Sequence, residues 1–453
     1  MNKLQNDTIA AIATALSNSA ISIIKVSGDE AIEIVNSIFK GKDLNKVESH
    51  TINYGHIIEN DKLIDEVLVS VMKAPKTYTK EDIVEINTHG GIATTNKVLE
   101  LLLKNGCVPA EPGEFTKRAF LNGRIDLEEA EGIMDLIEAK TDKARDLAIN
   151  QLSGKVSNLI RNLREDLVQV LANINVNIDY PEYDDVEEVT IPLLQEKIKN
   201  IKEKIEDILK KSNNGKIIKE GIKTSIIGKP NVGKSSLLNT LLEEDKAIVT
   251  DIEGTTRDIV EGTVNIDGIL LNIIDTAGIR DTDNIVEKIG VDKSLELIDN
   301  SDLILFVLNN NEEITKEELE LLEKIENKNH IIIVNKIDLE KKLNTNLLNN
   351  VIYISTKNNE GIDELKNTIK KIFNLEQIEK EDMTYLTSAR SVAILKKVNE
   401  QINELEKNIN NNMPIDMIEL DIKNIWNLLG EIIGDTYEEE LIDELFSRFC
   451  LGK

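Results

Sequence analysis

GKPNVGKS, residues 228–235, satisfies every fixed position of Gly-x-x-x-x-Gly-Lys-Ser/Thr. The β-branched run IKTSIIG leads into it and the helix-like run SLLNTLL follows it. A strand, a glycine-bearing loop and a helix N-terminus in that order aim backbone N–H groups at phosphate oxygens. Asn231, Val232, Gly233, Lys234, Ser235 and Ser236 are therefore expected around the phosphates of a nucleotide. Lys234 would act catalytically against β/γ charge and Ser235 would ligate Mg²⁺. Outward from the motif, the runs LLNIID, DLILFVL, HIIIVN and VIYIS alternate with helical patterns as far as about residue 375. That alternation predicts a doubly wound parallel sheet, an inserted α/β module over 216–375.

Two later segments select the base. NKID, residues 335–338, follows the run HIIIV directly. There Asp338 can accept from both guanine N1–H and the exocyclic amine, donors that adenine does not present together. Asn335 and Lys336 belong to the same motif, and Ser355, Thr356 and Lys357 (STK) would back the base with main-chain N–H groups. In DTAG, Asp275 would hold Mg²⁺ through water and the Gly278 N–H would sense the γ-phosphate, with Thr276 and Ala277 alongside. The segment Thr250, Asp251, Ile252, Glu253, Gly254, Thr255 and Thr256 is expected against the nucleotide as a first switch, Thr256 being the second side-chain Mg²⁺ ligand. The residue after the switch glycine is Ile279, which cannot orient water as a glutamine does there in Ras-like proteins.

The chain has 453 residues, enough for two to four domains, and 41 % hydrophobic residues, as a globular protein does. Eighty-two acidic and 54 basic residues give a formal net charge of −28, which repels phosphate backbones except at a local basic patch or through a partner. Aromatics at 3 % argue against stacking platforms for single strands. Two distant cysteines form no disulfide framework and no zinc spacing, which predicts a cytoplasmic protein. No apolar run is long enough for a membrane. Residues 1–118 mix EVLVSVM and DIVEINTHGG strands with the helix TNKVLELLLKNG, an α+β module. Residues 119–215 turn helical, with Leu194, Ile198, Ile201, Ile205 and Ile208 in one stripe; residues 376–453 are helical again. Helical patterns on both sides of an α/β module predict one discontinuous all-α domain interrupted by it.

Over almost its entire length the chain resembles the MnmE (TrmE) tRNA-modification GTPases. GTTRD with DTAG also resembles the ribosome-assembly, RNA-binding GTPases of the Era and Der type, the alternative reading, so the flanks decide. They are PGEFTKRAFLNGRIDLEEAE at 112–131, DTIAAIAT at 7–14, EDIVEINTHGG at 81–91 and the terminal FCLGK. The resemblance implies an N-terminal folate-binding, dimerising module, a homodimer, and a flavoprotein partner, MnmG (GidA), in a heterotetramer or larger assembly. Together they would act on tRNA to install an aminomethyl or carboxymethylaminomethyl group at C5 of the wobble uridine, with carbon from 5,10-methylene-tetrahydrofolate and no membrane involved. A 5-formyl-tetrahydrofolate would fill the same pocket. It also implies K⁺ activation, with Asn231, Thr250, Ile252 and Thr255 around the ion, and catalytic positioning of water by Glu287. For folate it implies Glu85, Arg124, Lys453 and Lys25, the last standing where relatives carry arginine.

Cys450, fourth from the last residue, sits where many membrane-bound GTPases are prenylated. Gly452 and Lys453 do not fit that signal, and EEELIDELFSRF before it is acidic near its start. Two readings stay open: a small buried hydrophobe that caps the helical domain, or, from the terminal box that resembles the family's, a catalytic thiol beside the folate.

Overall fold

The computed structural model describes residues 7–179, 191–244, 260–274, 297–345, 348–375, 382–411, 413–437 and 439–453. The chain divides into two compact units. One gathers Met1–Met134, Ser157–Ile198 and Glu400–Lys453; the other Asp135–Val156 and Lys199–Asn399.

The first unit holds a seven-stranded sheet of β1 (Ile9–Ile12), β2 (Ile21–Ser27), β3 (Phe39–Lys40), β4 (Thr51–Glu59), β5 (Lys62–Met72), β6 (Ile83–His89) and β7 (Val108–Pro109). Their order is β3-β4-β5-β6-β2-β1-β7, and every neighbouring pair is antiparallel except β1 with β7. Asn60 and Asp61 turn β4 into β5, both with positive φ, as a two-residue hairpin needs. Alternation then divides the side chains. Val67, Val69 and Val71 of β5, with Val84 and Ile86 of β6, pack with Ile34, Val35, Val98, Leu101 and Leu102 from the helices Ala31–Ile38 and Ile92–Lys104. The opposite face bears Ile52 and Tyr54 of β4, Leu68 of β5 and Ile21 of β2, all exposed, together with Lys25 and Glu85.

The helices of this unit bury the stripes that the sequence spacing predicts. Ile402, Leu405 and Ile409, and then Ile418, Ile422, Ile425 and Leu429, are all fully buried. Each such side chain contributes about 1.5–3 kcal/mol relative to exposure. Helix Glu114–Leu121 carries a buried ion network: Arg118 donates to Glu114 at 2.8 Å and to Glu81 at 3.3 Å, and Ser27 donates to Glu81 at 2.7 Å. Arg118 also donates to the carbonyl of Asp7 at 2.8 Å, so its guanidinium ties its own helix to two segments distant in sequence. Removing it strands two carboxylates, at a cost of about 3–5 kcal/mol.

The second unit is built on β8 (Ile222–Ile227), β9 (Val260–Ile266), β10 (Ile269–Ile274), β11 (Leu303–Asn309), β12 (His330–Asn335) and β13 (Val351–Tyr353). Their order is β13-β12-β11-β8-β10-β9, and every pair is parallel except β9 with β10. This is the Ras-like arrangement. β11 is buried at all seven positions because both faces are covered: Leu303, Leu305 and Val307 enter one core, Ile304, Phe306 and Leu308 the other. β9 was not among the strands read from the sequence. VEGTVNI is only weakly apolar, and its place is set by antiparallel pairing to β10.

Candidate nucleotide and cofactor sites

Gly228 follows β8 directly and Lys234 opens the helix Lys234–Glu244, so the motif bridges strand and helix as its spacing predicts. Asn231 at φ +63° and Gly233 at φ +101° fold the loop back on itself. A Cβ on Gly233 would collide with the Asn335 side chain, so only glycine fits. Lys234 Nζ donates to the carbonyls of Gly228 at 2.8 Å and Lys229 at 2.7 Å. An ammonium has three N–H groups, so one is left for a phosphate oxygen. Burial holds this ammonium below the usual lysine range.

The base-recognition residues are brought against this loop from the ends of β12 and β13. Asn335, fully buried, donates to the Val232 carbonyl at 2.9 Å and accepts from Lys336 N–H at 2.8 Å and Thr356 N–H at 3.3 Å. Lys336 Nζ donates to the Asn231 carbonyl at 2.6 Å. Ser355 donates to Asp338 at 2.8 Å and fixes the carboxylate that would read guanine, while Lys357 is exposed beside it. Lys229 pairs with the buried Glu318 at 3.4 Å, a support of the loop that its sequence position did not signal. Ser235 stands in the first turn of that helix, where a magnesium ligand is needed, and Ser236 is its neighbour. Lys234, the glycine-bearing loop and the Ser235 hydroxyl fit a magnesium nucleotide, whose ion neutralises charge between the β- and γ-phosphates. Thr250, Asp251, Ile252, Glu253, Gly254, Thr255, Thr256, Asp275, Thr276, Ala277, Gly278, Ile279 and Glu287 lie outside the described residues. Among the described residues no group of three or more His, Cys, Asp or Glu could hold a metal ion.

In the first unit the residues assigned to folate by resemblance come together. Lys25 and Glu85 are direct cross-strand partners of β2 and β6. The Lys25 ammonium lies 5.3 Å from the Phe115 ring and 5.5 Å from the Tyr78 ring, and the Arg124 guanidinium lies 4.6 Å from the Tyr78 ring. Burial lowers the Lys25 ammonium below its ordinary range, opposed by Glu85 and reinforced by Lys453. Tyr78 donates to or accepts from Thr116 at 2.8 Å. Tyr78, Phe115 and Thr116 were missed because an aromatic in a turn or helix has no motif of its own.

The terminal segment completes the group. Lys25 Nζ donates to the Gly452 carbonyl at 3.4 Å, Gly113 N–H to the Cys450 carbonyl at 3.3 Å and Phe115 N–H to the Lys453 carbonyl at 3.2 Å. The packing reading of Cys450 is corrected here. Phe449 and Gly452 take the buried positions, and the turn between them leaves Cys450 exposed.

Fold and phosphate loop together define a P-loop GTPase with the guanine-selective residues in place. Its flanks specify more. The family model for the GTP-binding protein TrmE N-terminus matches residues 8–124, and the MnmE helical domain model matches residues 127–450. The chain is 54 % identical over 450 residues to the tRNA modification GTPase MnmE of Streptococcus thermophilus, covering 99 % of this chain and 98 % of that one. It is likewise 54 % identical over 458 residues to the MnmE of Bacillus cytotoxicus, covering 99 % and 100 %. The chain belongs to the MnmE family of tRNA modification GTPases. It is a GTP hydrolase of tRNA modification and binds GTP with Mg²⁺. No described helix is long and apolar enough to cross a membrane.

Proposed function

We propose that this chain couples K⁺-activated GTP hydrolysis to the addition of an aminomethyl or carboxymethylaminomethyl group at C5 of wobble uridine. It would act in the cytoplasm, with tRNA and an MnmG-type flavoprotein, using a tetrahydrofolate one-carbon unit. The observation that carries the folate part is the convergence of β2, β6, helix Glu114–Leu121 and the terminal segment on Lys25. Glu85 offers a carboxylate to an amidine-like pterin edge, and the aromatic rings offer apolar faces. The terminal segment brings Cys450 to this neighbourhood, exposed, which supports a thiol role over packing. In the nucleotide site Asn231 would hold K⁺ with Thr250, Ile252 and Thr255, supplying charge where an arginine finger is absent, while Glu287 would orient water.

The exposed apolar side chains Ile52, Tyr54 and Leu68 share a sheet face with Lys25 and Glu85. A second copy of the chain covering that face would bury them and close the folate site, so the homodimer and the cofactor site are one arrangement. Leu68→Lys, in the middle of the face, is expected to give 50.8 kDa monomers by light scattering, and an unchanged dimer would remove this face from the interface.

The function is tested by mass spectrometry of tRNA from cells that lack this chain. Wobble uridines are expected to lose their C5 group, to regain it with the native chain and not with Glu85→Ala. Intact modification without the chain would sink the proposal.

A further inference from the structure

Beside the Lys25–Glu85 pair lies an open cleft of about 420 Å³. Its polar lining is His50, Lys76, Thr77, Tyr78, Lys80 and Arg124, and no carboxylate lines it among the described residues. In a chain of net charge −28, four basic side chains gathered without an acid are a marked local reversal of sign. The cleft shares Tyr78 and Arg124 with the cofactor cluster, so whatever occupies one can continue into the other. Lys80 holds the two together: its ammonium donates to the carbonyls of Asn122 and Gly123, each at 2.9 Å, in the turn that presents Arg124. Lys76 and Arg124 are exposed and face an incoming anion.

We propose that this cleft binds the γ-linked polyglutamate chain of a reduced folate, resting on the folate assignment above. Each added γ-glutamyl unit brings one carboxylate into a cleft whose charged side chains, Lys76, Lys80 and Arg124, are all cationic. The size is that of a small-molecule site. An RNA backbone would need a basic surface extended over several phosphates, which a single cleft in an acidic chain does not supply. The cations are solvent-exposed, so each pair adds a few-fold and the sum is expected to weaken with salt.

Calorimetry on the full-length protein with 5-formyl-tetrahydrofolate as monoglutamate and as tri-γ-glutamate tests this. The triglutamate is expected to bind about tenfold tighter at low salt, several exposed pairs acting together. Lys76→Ala and the double variant Lys76→Ala/Lys80→Ala are expected to bring the ratio of the two affinities toward one. Lys76→Ala makes the decisive comparison, because Lys80 also holds the Arg124 turn. Equal affinities in the native protein would overturn the cleft assignment while leaving the folate site standing. An unchanged ratio in both variants would move the polyglutamate elsewhere. No heat from either folate would overturn both. A loss of tRNA binding in the variants, with the folate ratio unchanged, would make the cleft a phosphate-backbone site and also overturn the proposal.

Discussion

Asn335 and Asp338 stand about three residues apart in one motif but do separate work. Asn335 is buried structure, tying β12 to the phosphate loop through Val232 and to the STK loop through Thr356. Asp338 is oriented by Ser355 and left for the base. Asp338→Asn should therefore keep the fold and lose guanine, since the amide sets an N–H donor where the carboxylate offers its second acceptor oxygen. GTP turnover is expected to fall at least about 100-fold, the loss of a charge-assisted hydrogen-bond pair. Xanthosine triphosphate, which offers a carbonyl where guanine has its amine, is expected to restore it. The same GTP rate in the variant would take Asp338 out of base recognition. The two thiols differ as sharply. Burial pushes the Cys107 thiol up to about 12, and Cys450 is exposed. Iodoacetamide at pH 8 should alkylate Cys450 and spare Cys107 until the protein is denatured, because the thiolate is the nucleophile. Peptide mass mapping reads the result, and equal labelling of both in the native protein would contradict the structure.

At the scale of an element, the terminal segment is the informative piece. Gly452 has φ +85°, and a Cβ there would lie 2.7 Å from both the Ala13 Cα and the Ile12 carbonyl. The segment lies flat on β1 only because that residue has no side chain. Gly452→Ala adds both strain and a clash, about 1–3 kcal/mol, which is enough to lift the segment off Lys25. Wobble-uridine modification is expected to fall about tenfold or more, while GTP hydrolysis by the second unit continues at the parent rate. Full modification by Gly452→Ala would show that the segment's place does not matter to the chemistry. The alternation of β5 and β6 was legible in EVLVSVM and DIVEINTH, since one buried face imposes period two on the sequence. β9 was not legible, because an edge strand with Glu261 and Gly262 carries little apolar pattern and depends on its partner.

At the scale of the whole molecule, the proposal joins two chemistries in one chain, hydrolysis in the second unit and carbon transfer in the first. Asn231, already in the left-handed conformation, is the described residue on which the K⁺ proposal rests. GTP turnover in KCl is expected to exceed that in NaCl at equal ionic strength by about tenfold or more, the scale of one preorganised charge at the transition state. Equal rates would remove the cation from hydrolysis.

By itself the sequence determined the nucleotide chemistry. A phosphate loop works through backbone N–H groups, and a base motif through one carboxylate at a strand end. Both are local, so a few residues at fixed spacing specify them, and the helical stripes follow for the same reason. Tertiary structure decided what is non-local. The order of the seven strands sets Lys25 opposite Glu85, though sixty residues apart no pattern joins them. The terminal turn, seated by a glycine against β1, decided that Cys450 is exposed, where the sequence left a buried packing role and a thiol role both open. Lys76, Lys80 and Arg124 are three ordinary surface charges in the sequence. They line a cleft of one sign only because the fold brings them together, and charge acts through distance in space rather than along the chain.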